Sequence, residues 1–154
     1  MNPEKITVQQ ALSRAMEICS KSEKCISDIQ QKLNDWGVEP ADAQKIIKTL
    51  IAEKFIDEER YVRFYVRDKF RFNQWGRVKI AFMLRSKKIA SGLIDIALQE
   101  ITEEAYTELL TILLTDKSKK IRFVNDFDRK GKLTRFAQSK GFEFEVINEV
   151  LKSI

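Results

Sequence analysis

The 154-residue chain has no histidine, two cysteines, two prolines and five glycines. Without histidine it lacks the commonest general base and the usual zinc ligand, and two thiolates alone do not close a tetrahedral zinc site. So few prolines and glycines leave little turn chemistry for a many-stranded sheet, which favours helices joined by short connections. Cys19 and Cys25 are expected to be reduced packing residues, as in a cytosolic chain. No apolar run approaches the roughly 18 residues of a membrane span. The start MNPEKITVQQ has charge and glutamines where a signal peptide has its apolar stretch, so a cytoplasmic protein without a membrane partner is expected. Glycine-rich phosphate loops and nucleophile motifs of the GxSxG kind are also missing. The run DEER, Asp57 to Arg60, reads as a helix N-cap followed by first-turn acids and not as a metal-binding pair. No catalytic residue, cofactor site or metal site is assigned, and an enzyme is not expected.

What the chain does have is segregated charge. From Arg60 to Lys88 ten Lys/Arg and seven aromatic rings accompany a single acid, Asp68, for a net charge of +9 in a chain that totals +5. At about 100° per residue, Arg60, Arg63, Arg67 and Arg71 fall within about 80° of arc and form one cationic stripe. The other side of that helix carries Tyr61, Val62, Tyr65, Val66, Phe70 and Phe72, the spacing of a helix docked on a core. The rings are therefore read mainly as core, because a base-stacking platform needs exposed aromatics. Like charges one turn apart repel, so a stripe without interleaved acids points to an anionic partner.

Taken in order, Thr7 with Gln10 has the spacing of a capping box, opening a first helix to about Cys19. Ser22 is read as the cap of a second that stops at Gly37, and Pro40 opens a third whose buried side is Ile46, Ile47, Leu50 and Ile51. Asp57 caps a fourth helix ending near Asn73. A fifth carries Ile80, Met83 and Leu84, and a sixth Leu93, Ile94, Ala97 and Leu98. Thr102 caps a seventh with Ala105, Tyr106, Leu109, Leu110, Leu113 and Leu114. An eighth lies around Lys132 to Lys140 and a ninth from Glu143 to Lys152.

The helices repeat. Ile29, Leu33 and Gly37-Val38 correspond to Ile80, Leu84 and Lys88-Ile89, and again to Leu133, Ala137 and Gly141-Phe142, at periods of 51 and 53 residues. Leu93, Ile94, Ala97 and Leu98 match Val146, Ile147, Val150 and Leu151 at identical offsets. The expected fold is all-α, an elongated, curved array of three tandem three-helix repeats at residues 1–54, 55–101 and 102–154. Charge follows the repeats, since Lys117 to Lys140 has net charge +7 while Ile89 to Asp116 holds six acids and no base. The basic zones are expected to share one side of the array and face an acidic filament or a phosphate backbone.

These residues resemble the RecX family of regulators of the bacterial RecA recombinase. The resemblance covers nearly the whole chain. It rests on SEKCISDIQQKLNDWG in the first repeat, on Phe55-Ile56-Asp57 with Arg60-Tyr61 and Gly76-Arg77 ahead of Leu84-Arg85 in the second, and on Lys140-Gly141-Phe142 with Val146-Ile147 in the third. Tyr61-Val62 and Lys88 depart from the family pattern, the latter standing where a glycine is usual. The resemblance implies a non-enzymatic protein of three tandem three-helix repeats that binds along the groove of RecA filaments on single-stranded DNA and damps filament growth, strand exchange, ATP hydrolysis and repressor cleavage; a monomer is expected. The residues assigned to the RecA- or DNA-facing surface are Arg60, Arg63, Arg67, Arg71, Arg77, Lys79, Arg85, Lys87, Lys130, Lys132 and Arg135. Two rival readings are a direct DNA-binding helical module acting through phosphate contacts, and a helical scaffold whose charge serves only solubility.

Overall fold

The computed structural model describes residues 6–154, so the first half of the charged start, MNPEK, lies outside the described residues. Among the described residues there are nine helices and no strand: α1 Val8–Lys21, α2 Ile26–Asp35, α3 Pro40–Ala52, α4 Glu58–Arg71, α5 Arg77–Ser86, α6 Ser91–Gln99, α7 Glu103–Lys120, α8 Asp126–Ser139 and α9 Phe144–Ser153. They form tandem three-helix repeats. The second helix of each repeat ends at a residue in the left-handed region, Gly37 (φ 77°), Lys88 (φ 63°) and Gly141 (φ 96°). At the two glycines the next N–H reaches back five residues, Val38 to the Leu33 carbonyl and Phe142 to the Ala137 carbonyl, which closes the helix end. Lys88 takes up this conformation without glycine's freedom, so the departure at this position changes the side chain and not the turn.

Caps fix the starts. The Thr7 hydroxyl accepts the Gln10 N–H while the Gln10 side chain accepts the Thr7 N–H, the reciprocal capping box. The Asp57 carboxylate accepts the Arg60 N–H at 3.1 Å, and Thr102 caps α7 by accepting from Ala105. Glu58 of DEER accepts the Ile26 N–H at 3.2 Å and Glu59 pairs with Arg63, so these acids serve helix starts and surface pairing. Ser22 does not cap α2. It closes α1, its N–H on the Ile18 carbonyl, and α2 starts from Cys25, whose N–H goes to the Asp28 carboxylate at 3.2 Å. α8 begins six residues ahead of Lys132, because Asn125 accepts the Asp128 N–H and acids fill the first turn.

By its contacts the chain divides into two compact units, one running to Phe64 with Lys87–Ile89, the other Tyr65–Ser86 with Ala90–Ile154. The core of the first is Ala11, Ala15, Ile29, Leu33, Ile46, Leu50 and Ile56, with Trp36 and Phe55 packed on it. Ile51, expected inside, is 44% exposed, as α3 buries the stripe Ala43–Ile46–Ile47–Leu50 instead. Cys25 is buried and Cys19 half-buried. Both thiols are free, and burial pushes both above the usual thiol range.

The second unit is built around Tyr106, whose ring is fully buried between Phe70 and Phe142. Leu110, Leu114, Leu133, Ala137, Ile147, Val150 and Leu151 complete that core, and full burial of each Leu or Ile is worth about 1.5–3 kcal/mol. The repeat-matched positions Ile29, Leu33, Ile80, Leu84, Leu133 and Ala137 are all at most 1% exposed. Ala105 faces solvent, because α7 presents Tyr106, Leu110 and Leu114 to the core.

Candidate basic interface

α4 sorts its side chains as its periodicity predicts. Tyr61, Val62, Tyr65 and Val66 are buried, Phe70 is half-buried, and Arg60, Arg63, Arg67 and Arg71 are exposed. Phe72 lies past the helix end and is 75% exposed, so it is not part of the core. Phe64 and Phe82 are exposed as well, so three of the seven rings between Arg60 and Lys88 face solvent.

The eleven assigned cations divide by what they touch. In the first unit, Arg60 pairs with Glu23 at 2.7 Å and donates to the carbonyls of Lys54 and Phe55, tying the start of α4 to the end of α3. Arg63 pairs with Glu59 at 3.3 Å. Lys87 donates to Asp28 at 2.7 Å. Burial works against the Asp28 carboxylate, yet Lys87 and the Cys25 N–H hold its pKa below the usual carboxylate value.

In the second unit Arg77 is the centre of a half-buried polar junction. Its backbone N–H donates to the Tyr106 hydroxyl at 2.9 Å, and its guanidinium lies 3.8 Å from the centre of the Tyr106 ring. The guanidinium also bonds Glu143 at 2.9 Å and pairs with Glu103, and the Tyr106 hydroxyl donates to Glu143. Burial and the Glu143 carboxylate push the Tyr106 phenol well above its usual range. These contacts fasten α5 to α7 and α9.

The remaining cations of this unit stand further out. Arg67 reaches Glu100 at 3.5 Å, and with Arg71, Val66, Phe70 and Leu109 it lines a groove of about 600 Å³. Arg71, Arg85 and Arg135 are exposed and form no ion pair among the described residues. Lys79 lies 4.7 Å from the centre of the Trp75 ring and Lys69 5.3 Å from it. Lys140, whose ammonium donates to the Asn73 carbonyl at 2.9 Å, has its pKa lowered by burial and then by Lys79. Lys130 pairs with Asp126 and Lys132 with Asp128. The stripe of arginines thus has acids beside it after all, Glu23 and Glu100 coming from distant elements and Glu59 from α4 itself.

What the sequence reading left out is the turn between α7 and α8. There Phe123, Val124 and Phe127 are exposed beside Lys119, Lys120 and Arg122. Asn125 followed by Asp126 and Asp128 is an N-cap signature, and reading it would have placed the helix start here and the rings outside it. Among the described residues no three or more His, Cys, Asp or Glu side chains gather as metal ligands, and no helix is long and apolar enough to cross a membrane.

Tandem three-helix repeats, with no strand among the described residues, define an all-α helical-repeat protein. Residues 57–98 match the family model described as RecX, second three-helix domain, and residues 104–151 that of the third three-helix domain. The regulatory protein RecX of Clostridium acetobutylicum is 30% identical over 148 residues, covering 94% of this chain and 68% of the relative. That of Clostridium botulinum is 31% identical, covering 96% and 68%. A crystal structure of regulatory protein RecX superposes with a TM-score of 0.87 at 28% identity over 96% of this chain and 73% of the other. RecX from Lactobacillus salivarius shares the fold, with a TM-score of 0.86 at 19% identity over 95% of each chain. The chain belongs to the RecX family of regulatory proteins.

Proposed function

We propose that the protein binds the RecA filament on single-stranded DNA and restrains its growth, strand exchange, ATP hydrolysis and repressor cleavage, acting as a cytoplasmic monomer and without catalysis of its own. Family membership supports the regulatory role. The observation that carries the contact is the set of exposed cations in the second unit that form no ion pair among the described residues, Arg71, Arg85 and Arg135, with Arg67 and Lys79 near them in sequence. Arginine side chains left in water with no acid partner retain their full charge for an acidic or phosphate surface. Arg60, Arg77 and Lys87 hold the fold together and enter this reading as supports of the surface. The repeats are proposed to lie at 1–54, 55–101 and 102–154, and the assigned cations fall in the second and third of them.

The test is ATP hydrolysis by the cognate RecA on single-stranded DNA, titrated with this protein from far below to equal concentration. The companion variant has Arg63, Arg67 and Arg71 changed to Glu. Inhibition at substoichiometric levels, lost in the variant, is the expected result. Inhibition that begins only when the protein coats the DNA contradicts it and favours direct phosphate binding, whose affinity falls steeply with salt.

A further inference from the structure

The turn between α7 and α8 is held by its own polar contacts and carries apolar side chains in solvent. Asn125 accepts the Asp128 N–H at 2.8 Å, and Asp128 accepts the Val124 N–H at 3.1 Å. Lys132 donates to the Arg122 carbonyl at 2.6 Å, and Arg129 bridges to the Ser118 hydroxyl at 3.3 Å and to Asp126 at 3.1 Å. The backbone is therefore tied at both ends of the turn. On it Phe127 is 88% exposed, Val124 89% and Phe123 45%.

Lys119, Lys120 and Arg122 precede the rings and form no ion pair among the described residues. The negative end of α7 accounts for lysines in its last turn. It does not account for Arg122 or for two phenylalanines held in water. A rigid mount carrying planar rings beside uncompensated cations matches a ligand with a π-face and an anion in every unit.

We infer that the α7–α8 turn is a contact for single-stranded nucleic acid, with Phe123 and Phe127 stacking on bases and Lys119, Lys120 and Arg122 meeting the flanking phosphates. Exposed rings interleaved with cations bind a single strand with little regard to sequence, because every base offers a face. The apolar group is two rings and one valine on a turn and not the continuous apolar face of an interfacial helix. The inference rests on the proposed filament reading for its setting, since the strand lies within that filament. Its chemistry needs only the strand.

The experiment is fluorescence anisotropy of a labelled oligothymidine with the full chain, the double variant F123A/F127A, the ring-preserving F123Y/F127Y and the triple variant K119Q/K120Q/R122Q. Thermal melting of each variant verifies folding. The expected result is binding at least about tenfold weaker in F123A/F127A, restored in F123Y/F127Y. The salt slope of log K is unchanged in the ring variants and smaller in magnitude by about two in the triple variant. Wild-type affinity in F123A/F127A overturns the inference. So does ring-dependent capture by phosphatidylglycerol vesicles without oligothymidine binding, which makes the turn a membrane contact. Inhibition of the RecA ATPase with no ring-dependent strand binding overturns this inference and leaves the filament reading intact. Ring-dependent strand binding with no effect on RecA does the reverse.

Discussion

Gly76 and Gly141 stand backbone against backbone. The Gly76 N–H donates to the Lys140 carbonyl at 2.8 Å and the Val78 N–H to the Gly141 carbonyl at 2.9 Å, so the turn before α5 and the turn before α9 are stitched together. A Cβ at Gly76 overlaps the Gly141 carbonyl, and one at Gly141 overlaps Lys79. The same stitch brings Lys79 and Lys140 into each other's field. Placement of these cations thus depends on two residues that have no side chain.

Gly76→Ala is expected to destabilise by about 3 kcal/mol, since the obstructing atoms are backbone and have no rotamer to retreat into. Gly92→Ala is the control. Nothing lies near its missing Cβ, and in α6 alanine is expected to stabilise by about 0.5–1 kcal/mol. Urea midpoints of the two variants measure both. A Gly76→Ala midpoint equal to that of the wild type would show that the two turns are not held in contact.

Much of this architecture was legible in the sequence. The triads Ile29–Leu33–Gly37, Ile80–Leu84–Lys88 and Leu133–Ala137–Gly141 mark one register repeated three times, and their Ile, Leu and Ala members are buried. Local caps such as Thr7 and Thr102 were legible too, because capping is decided within four residues. The pairing of the cations was not. Arg60 finds Glu23 at a separation of 37 residues, Arg67 finds Glu100 at 33 and Arg77 finds Glu143 at 66, distances over which no periodicity carries information. The exposed rings Phe72 and Phe127 escaped for a related reason. Each lies at a helix end, where burial depends on how the chain turns and not on the face of a helix.

Tyr106→Phe removes one hydroxyl and leaves the Arg77 N–H and one Glu143 oxygen without their partner. A loss of about 1–3 kcal/mol is expected. The phenol is raised in the folded state by burial and then by Glu143. Its contribution is thus fully present below the ordinary tyrosine pKa of about 10 and lost as pH rises through the raised value. Absorbance at 295 nm is expected to show a late tyrosine titrating with unfolding in the wild type and missing in Tyr106→Phe.

Asp28 runs the opposite way. Its folded carboxyl titrates below the usual value, so its pairing with Lys87 stabilises above a pH of about 4 and is lost as pH falls through the lowered value. The difference in Tm between wild type and Asp28→Asn is expected to be constant between about pH 6 and 8 and to shrink toward pH 3. A difference independent of pH would show that the Asp28–Lys87 bond contributes nothing as an ion pair.

Lys88 occupies a left-handed position that glycine fills in the other two repeats. Relief of that backbone cost, partly offset by the greater freedom of glycine in the unfolded chain, is expected to make Lys88→Gly more stable by about 0.5–1 kcal/mol. Chemical denaturation gives the sign directly, and a destabilised variant would contradict the strain.

The most direct test of the filament reading is co-sedimentation of the labelled protein with RecA filaments on single-stranded DNA, beside the same DNA without RecA. The account predicts binding to the filament at least about tenfold tighter than to the naked strand, and its loss when Arg63, Arg67 and Arg71 become Glu. Equal affinity for filament and naked strand, or a filament affinity indifferent to those arginines, would contradict it.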